Sequence, residues 1–180
     1  MNCDVIFAGF GGQGVLTAGL VLAQMGVDAG FEILWSPAYG GEMRGGKAYS
    51  MVKLSDRAIL DPVCSSLNAL VAMNGPSLDF CTRLVSGGLL IVNDTIDPAL
   101  IPAGDKRIIR VPLQQLADSA GNPRGANLVA VGCIAAELNL FSPHDAAESV
   151  RSFFAKKGKA ALGNAAAAAM LAGWNYCEEV

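Results

Sequence analysis

Asp4-Val-Ile-Phe-Ala-Gly9-Phe-Gly-Gly-Gln-Gly14-Val-Leu16 is the stretch that decides the fold of this 180-residue chain. Asp4 to Ala8 is a short apolar run of β type that stops at a glycine cluster. From Gly14 onward Val15, Leu16, Leu20, Val21 and Ala23 recur at the spacing of a helix packed on two sides. The order is strand, glycine turn, helix. Gly9-Phe-Gly-Gly-Gln-Gly14 matches G-x-G-x-x-G in the one context that gives the pattern meaning, after a strand and before a helix. Glycines let the backbone turn tightly, and the helix start then offers amides and a positive dipole to a phosphate or carboxylate. Gly9, Gly11, Gly12, Gln13 and Gly14 are therefore candidates for holding an anionic group. A dinucleotide site also wants an acidic residue at the end of the second strand, about 20 residues further on. Trp35, Ser36 and Pro37 occupy that place, and Glu32 comes too early. Three readings stay open for the loop: NAD or FAD, another phosphate or acidic group, and a tight turn with no ligand.

Working outward, Phe31 to Trp35 reads as a second strand ended by Ser36-Pro37, because proline cannot donate to a ladder. Lys47 to Leu54 reads as a third. No crossover helix separates it from the second, so it is expected to run antiparallel to its neighbours or to lie at an edge. Leu70 to Met73 and Leu89 to Val92 are continuous apolar runs of a buried sheet. Between them Pro76 fits a helix start, with Leu78, Phe80 and Leu84 as core candidates and Gly87-Gly88 as its close. Arg107 to Val111 is a further strand, followed by a short helix near Leu113 to Asp118 and a polar loop from Ser119 to Gly125. The remainder is helical: Leu128, Val131, Ile134, Ala135 and Leu138 recur at helical spacing, and Ser142-Pro143 with Asp145 is a capping pattern. Alternating strands and helices predict an α/β fold, a mostly parallel sheet with helices on both faces and a C-terminal helical cluster, as a single domain over residues 1–180.

Composition narrows the function. Thirteen basic against sixteen acidic residues give a net charge of −3, without the basic footprint of a nucleic-acid-binding domain. The charged fraction, 16%, lies below the roughly 25% of ordinary soluble domains, which suggests a surface covered by another chain. Val5 to Val27 is uncharged but interrupted by six glycines and two glutamines, so neither a membrane span nor a signal peptide is expected and a cytoplasmic location is. Cys3, Cys64, Cys81, Cys133 and Cys177 lie too far apart to read as a zinc or iron–sulfur site, and reduced buried thiols are expected.

The second unusual stretch is Tyr39-Gly-Gly-Glu-Met-Arg-Gly-Gly46, in which four glycines bracket Glu42 and Arg44. Arg44 can clamp a phosphate or carboxylate bidentately, or it can simply pair with Glu42. His144 stands in the first turn of a helix and reads as an exposed residue. Arg151, Lys156, Lys157 and Lys159 read as a solvated helix end, with docking of an acidic partner as the lesser reading. No nucleophile-and-base arrangement can be assembled around one such histidine, so no catalytic residue and no metal ligand is assigned. The chain does not read as a complete enzyme.

The two glycine motifs in this order, with Ala48-Tyr-Ser-Met-Val-Lys53, Met73-Asn-Gly-Pro-Ser-Leu78 and Asn127-Leu-Val-Ala-Val-Gly132, resemble the gamma subunit of 2-oxoacid:ferredoxin (acceptor) oxidoreductases. Ala38 departs from the pattern, where a serine is expected before the Tyr-Gly pair. The resemblance implies a Rossmann-like sheet and a complex that converts a 2-oxoacid, 2-oxoglutarate first, to acyl-CoA and CO2 with electrons passed to ferredoxin. Pyruvate, branched-chain oxoacids and indolepyruvate follow as candidates. It also implies that thiamine diphosphate, the [4Fe-4S] clusters and coenzyme A enter through other subunits, with no cofactor bound tightly by this chain. The partners implied are alpha and beta subunits, with delta as a further candidate, and neither nucleic acid nor membrane. The isolated chain is then expected to be inactive. Gly11 to Gly14 and Arg44 have the right physics for the phosphates of coenzyme A. A stand-alone Rossmann-type nucleotide-binding oxidoreductase is the alternative, and a purely structural scaffold subunit is a third class.

Overall fold

The computed structural model describes residues 2–39 and 47–179. Its centre is β1 (Asn2–Phe10), whose Val5, Ile6, Phe7 and Ala8 are buried on both faces, as an unbroken apolar run requires. Next come α1 (Val15–Asp28), β2 (Glu32–Tyr39), β3 (Lys47–Ser55), β4 (Leu67–Ala72), a 3-10 helix (Gly75–Arg83) and β5 (Leu84–Asn93). The chain ends with β6 (Lys106–Val111), α2 (Leu113–Ser119), α3 (Ala126–Leu138), α4 (Pro143–Lys156) and α5 (Ala160–Glu179).

The strands form one sheet in the order β2-β3-β1-β4-β5-β6. β1, β4, β5 and β6 are successive parallel neighbours, while β3 runs antiparallel between β2 and β1. The expected antiparallel third strand is therefore present, in the interior of the sheet and not at its edge. The expected α/β architecture is found as well, with the two faces covered unequally. Val5, Phe7, Val52, Val71 and Ile91 point into a core shared with α1, α2, α3, α4 and α5. Ile6, Ala8, Leu70, Ala72 and Leu90 point the other way and pack on Leu78 and Cys81 of the 3-10 helix.

Two details differ from the sequence reading. Ser36-Pro37 does not end β2, which continues to Tyr39 with Pro37 opposite Ser50. β2 is an edge strand, where a missing ladder donor is tolerated. Gly87-Gly88 does not close the helix begun at Pro76. That helix ends at Arg83, Leu84 is already extended, and both glycines lie inside β5. Gly87 has φ +72° and donates its N–H to Asp105 O at 3.1 Å, and the pairing of β4 with β5 shifts register between Leu67 and Ala69. Such a local irregularity uses glycine without ending a strand.

The uncharged run through α1 has a packing reason. A Cβ on Gly19 would lie 1.9 Å from Ser50 Oγ, and one on Gly26 would lie 2.5 Å from Ile33 Cδ1. These two positions, two turns apart, let α1 sit directly on β2 and β3. Under Gly19 the buried Ser50 hydroxyl accepts a hydrogen bond from Trp35 Nε1 at 2.7 Å. Further along, Ser142 Oγ caps α4 by accepting from Asp145 N at 3.1 Å, and His144 is exposed, both as expected. Among the described residues no helix is long and apolar enough to cross a membrane.

All five cysteines are free and buried. Burial, aided by the neighbouring Asp4 charge, pushes the Cys3 thiol up to about 12 from its ordinary 9.0. Cys64 also reaches about 12, through burial first and then the neighbouring Asp4 carboxylate. A thiol whose pKa is raised by folding leaves stability intact below its unfolded value and erodes it as pH climbs toward the folded one. A series of melting curves is expected to show a flat Tm from roughly pH 6 to 8 and a fall above about pH 9. A native-state titration with a thiol reagent near neutral pH should label none of the five quickly.

Candidate functional site

The site begins where β1 ends. Gly11 and Gly12 turn the chain, Gly12 with φ +98°, and Gly14 starts α1 in the left-handed region at φ +73°. Gln13 fastens this turn. Its N–H donates to Phe10 O at 3.1 Å, and its Oε1 accepts from Phe10 N at 2.7 Å and from Asn74 Nδ2 at 2.9 Å. Asn74 is held in turn by Ser77, whose N–H and hydroxyl both donate to Asn74 Oδ1. On the other side Asn127 Nδ2, in the first turn of α3, donates to Gly14 O at 3.0 Å. Three of the segments that carry the family resemblance, at Gly9 to Gly14, Met73 to Leu78 and Asn127 to Gly132, thus meet at one turn.

These contacts sort the predicted residues. A Cβ on Gly9 would lie 2.7 Å from Gln13 Oε1 and 3.1 Å from Met73 Cβ, so Gly9 is small to admit the Gln13 side chain. Gly11 has open space where a side chain would go. Gly12, Gln13 and Gly14 line a cavity of about 760 Å³ beyond the carboxyl ends of β1, β4 and β5, with Met73 and Asn93 at its floor. Arg44 lies outside the described residues. Gln13 spends its side chain on the loop itself and is a positioning residue. Gln13→Leu is expected to lower stability by about 1.5 kcal/mol, read by urea denaturation, since it strands the buried-side partners of one amide.

Among the described residues no side chain caps α1 at Gly14 or α3 at Gly125. The first turn of each helix therefore presents amides without intrahelical partners to the cavity. Among the described residues, the charged ones lining it are Arg124 and Lys159, and none is a carboxylate. Neither cation has a hydrogen bond or ion pair among the described residues. The crevice is consequently electropositive, in a protein of net negative charge.

The sequence reading missed this pair. In sequence Arg124 lies in a loop that reads only as polar, and Lys159 belongs to a basic helix end that reads as solvated, with docking of an acidic partner as the lesser reading. The usable signal was the Asn122-Pro-Arg-Gly125 turn immediately before an uncapped helix.

The topology also speaks to the dinucleotide reading. There the second strand lies beside the first, so that its terminal carboxylate can reach the ribose. Here β3 stands between β1 and β2, which puts the end of β2 about 10 Å from β1 at ordinary strand spacing. Pro37, Ala38 and Tyr39 end that strand.

Residues 4–176 match the family described as pyruvate ferredoxin/flavodoxin oxidoreductase. The chain belongs to this family. Within it, the ketoisovalerate oxidoreductase subunit VorA of Methanothermobacter thermautotrophicus is 38% identical over 157 residues, covering 86% of this chain and 32% of that protein. The chain thus spans about a third of that relative's length. The 2-oxoglutarate synthase subunit KorC of the same organism is 33% identical over 156 residues, which is 82% of each chain. Among solved structures, the gamma subunit of a keto/oxoacid ferredoxin oxidoreductase from Geobacter sulfurreducens superposes with a TM-score of 0.85 at 25% identity, over 99% of this chain and 98% of that one. The family member described here therefore shares its fold with a gamma subunit from end to end.

Proposed function

We propose that this chain is the gamma-type subunit of a 2-oxoacid:ferredoxin oxidoreductase complex, which converts a 2-oxoacid and coenzyme A to acyl-CoA and CO2 and passes two electrons to ferredoxin. The observation that carries this reading is the near end-to-end likeness to two separate subunits, KorC at 82% of each chain and the Geobacter gamma subunit at 98% or more of each. Alpha and beta subunits supply the thiamine diphosphate and [4Fe-4S] chemistry, and this chain packs on them in the cytoplasm.

2-Oxoglutarate is the first candidate substrate, on the likeness to KorC. Ketoisovalerate is the second, on the higher identity to VorA. Initial rates on both oxoacids, with the assembled complex, separate the two: a kcat/KM preference of about tenfold or more corresponds to the discrimination one pocket contact supplies.

Coenzyme A phosphates fit the glycine turn, because Gly12 and Gly14 leave the uncapped start of α1 open to an anion. Arg44 supplies a second phosphate contact in this reading. Arg44→Ala in the complex is expected to raise the KM for coenzyme A by roughly tenfold, the loss of one charge-assisted hydrogen bond, and to leave the oxoacid KM unchanged. Unchanged values of both constants would remove Arg44 from the site.

A further inference from the structure

A second cavity lies at the other end of α1, about 20 Å along that helix from the glycine turn. It has a volume of about 440 Å³, in the range of small-molecule sites, and is walled by the last turn of α1, the loop at Leu140-Phe141 and one face of α4. Asp145, Glu148, Ser149 and Ser152 line it at the i, i+3, i+4, i+7 spacing of a single helix face. The exposed carboxylates of Asp28, Asp145 and Glu148 stand at its rim, and among the described residues no basic side chain lines it. Two of these carboxylates have local partners that explain them. Asp145 accepts from the Ser142 hydroxyl at 2.7 Å in the first turn of α4, and Glu148 pairs with Arg151, which also donates through Nε to Asn164 Oδ1 at 3.1 Å. Asp28 has no such account. It ends α1, where the negative pole of the helix disfavours a carboxylate, no basic residue stands in that last turn, and its partner is the neutral Gln24 amide at 2.6 Å.

Ser149 supplies an independent observation. It is 7% exposed, it sits in the middle of the α4 face that lines the cavity, and its hydroxyl has no hydrogen-bond partner among the described residues. A buried hydroxyl in that state calls for a polar group on whatever enters. The floor beneath it is apolar, made by the buried Met25 and the half-buried Leu140 and Phe141. Among the described residues no three His, Cys, Asp or Glu side chains converge closely enough to hold a metal ion, so the carboxylates are spread around the cavity and not gathered at a point. Spread carboxylates over an apolar floor suit an organic cation. Its methylenes cover the floor while its N–H groups donate to the carboxylates and to Ser149.

We infer that this cavity binds an alkylguanidinium or alkylammonium group, with Asp28 and Asp145 holding its charge, Ser149 Oγ accepting one N–H, and Met25, Leu140 and Phe141 covering its methylene stem. Two sources share that chemistry, the arginine or lysine side chain of a partner chain and a free polyamine. The inference goes beyond the subunit reading and does not rest on it, because binding is read on this chain alone.

The test is isothermal titration of the full chain with the peptide acetyl-Gly-Arg-Gly-amide, with its citrulline counterpart, in which a neutral urea replaces the guanidinium, and with spermidine. Each titration is repeated on Asp28→Asn, Ser149→Ala and the double variant, with Glu179→Gln as a control that removes a charge outside the lining. Saturable binding of the arginine peptide or spermidine is expected, weakened roughly tenfold by Asp28→Asn, less by Ser149→Ala, and unaffected by Glu179→Gln. Asp28 is exposed and the Ser149 hydroxyl is unpaired, so neither substitution should lower Tm. Tighter binding of the arginine peptide identifies a partner's side chain as the source, and spermidine binding as tightly or more tightly identifies a free polyamine; each supports the site. No saturation with either at millimolar concentration, equal affinity for the citrulline peptide, binding indifferent to the double variant, or an equal loss in Glu179→Gln overturns it. The outcomes are separable from the subunit reading. Cation binding by a chain that joins no oxidoreductase complex would refute that reading alone, and an active complex whose gamma-type chain binds neither probe when isolated would refute this one alone.

Discussion

Replacing Gly132 with alanine is expected to cost about 3 kcal/mol and lower Tm by roughly 10 °C, read by urea denaturation and thermal melting. In an isolated helix the same change stabilises by up to about 1 kcal/mol, because alanine is the better helix former. The sign reverses here because α3 and α5 touch backbone to backbone. A Cβ on Gly132 would lie 1.8 Å from Met170 O and 2.8 Å from Trp174 N, and across the same crossing a Cβ on Gly173 would lie 1.9 Å from Val129 O. No side-chain rotation relieves a clash with main chain, so the two helices must separate. With them move the buried Val129, Ile134, Ala166 and Met170 that close the core behind the sheet. Gly163→Ala is the internal control. Its Cβ would meet Arg151 Cα at 3.4 Å, an ordinary contact, and the substitution is expected to raise stability by a few tenths to about 1 kcal/mol. Equal effects at positions 132 and 163 would contradict the close crossing.

Gly14→Ala is expected to have the second largest effect, about 2 kcal/mol of stability together with weaker ligand binding in the crevice. Two costs add. Position 14 has φ +73°, where a Cβ costs roughly 1–2 kcal/mol, and that Cβ would lie 2.8 Å from Asn127 Nδ2. Displacing Asn127 breaks its hydrogen bond to Gly14 O and loosens the joint between α1 and α3. Gly12→Ala separates the two contributions. Gly12 also has positive φ, but open space surrounds its missing Cβ, so the variant should show the backbone cost and retain the α1–α3 joint. A Gly14→Ala protein as stable as Gly12→Ala would show that the Asn127 contact carries no weight.

These effects mark what sequence alone makes legible. β1 was readable because a central strand buried on both faces leaves an unbroken apolar run with no competing pattern. The antiparallel β3 is readable because only seven residues, too few for a crossover connection, lie between Tyr39 and Lys47. Pro37 misled because its meaning depends on whether the strand is interior or at an edge, which only the finished sheet decides. Gly87 and Gly88 misled in the same way, since a strand irregularity and a helix stop use the same residue. Gly132 in α3 and Gly173 in α5 look like ordinary small residues in apolar helices, because close approach is a property of two helices and not of either one. The candidate site was half visible. A glycine turn between strand and helix announces itself locally, whereas Arg124 and Lys159 are unremarkable exposed cations until the fold sets the starts of α3 and α5 beside that turn.

The central claim, that this chain works as the gamma-type subunit of a 2-oxoacid oxidoreductase, is tested most directly by tagging it in its source cells and purifying it gently without oxygen. The purified material would be assayed for 2-oxoacid- and coenzyme-A-dependent viologen reduction, and its other proteins identified. Companion subunits carrying thiamine diphosphate and iron–sulfur clusters, with activity on at least one oxoacid that vanishes when coenzyme A is withheld, is the predicted result. A chain recovered alone from actively growing cells, without such partners and without viologen reduction on any oxoacid, would contradict it.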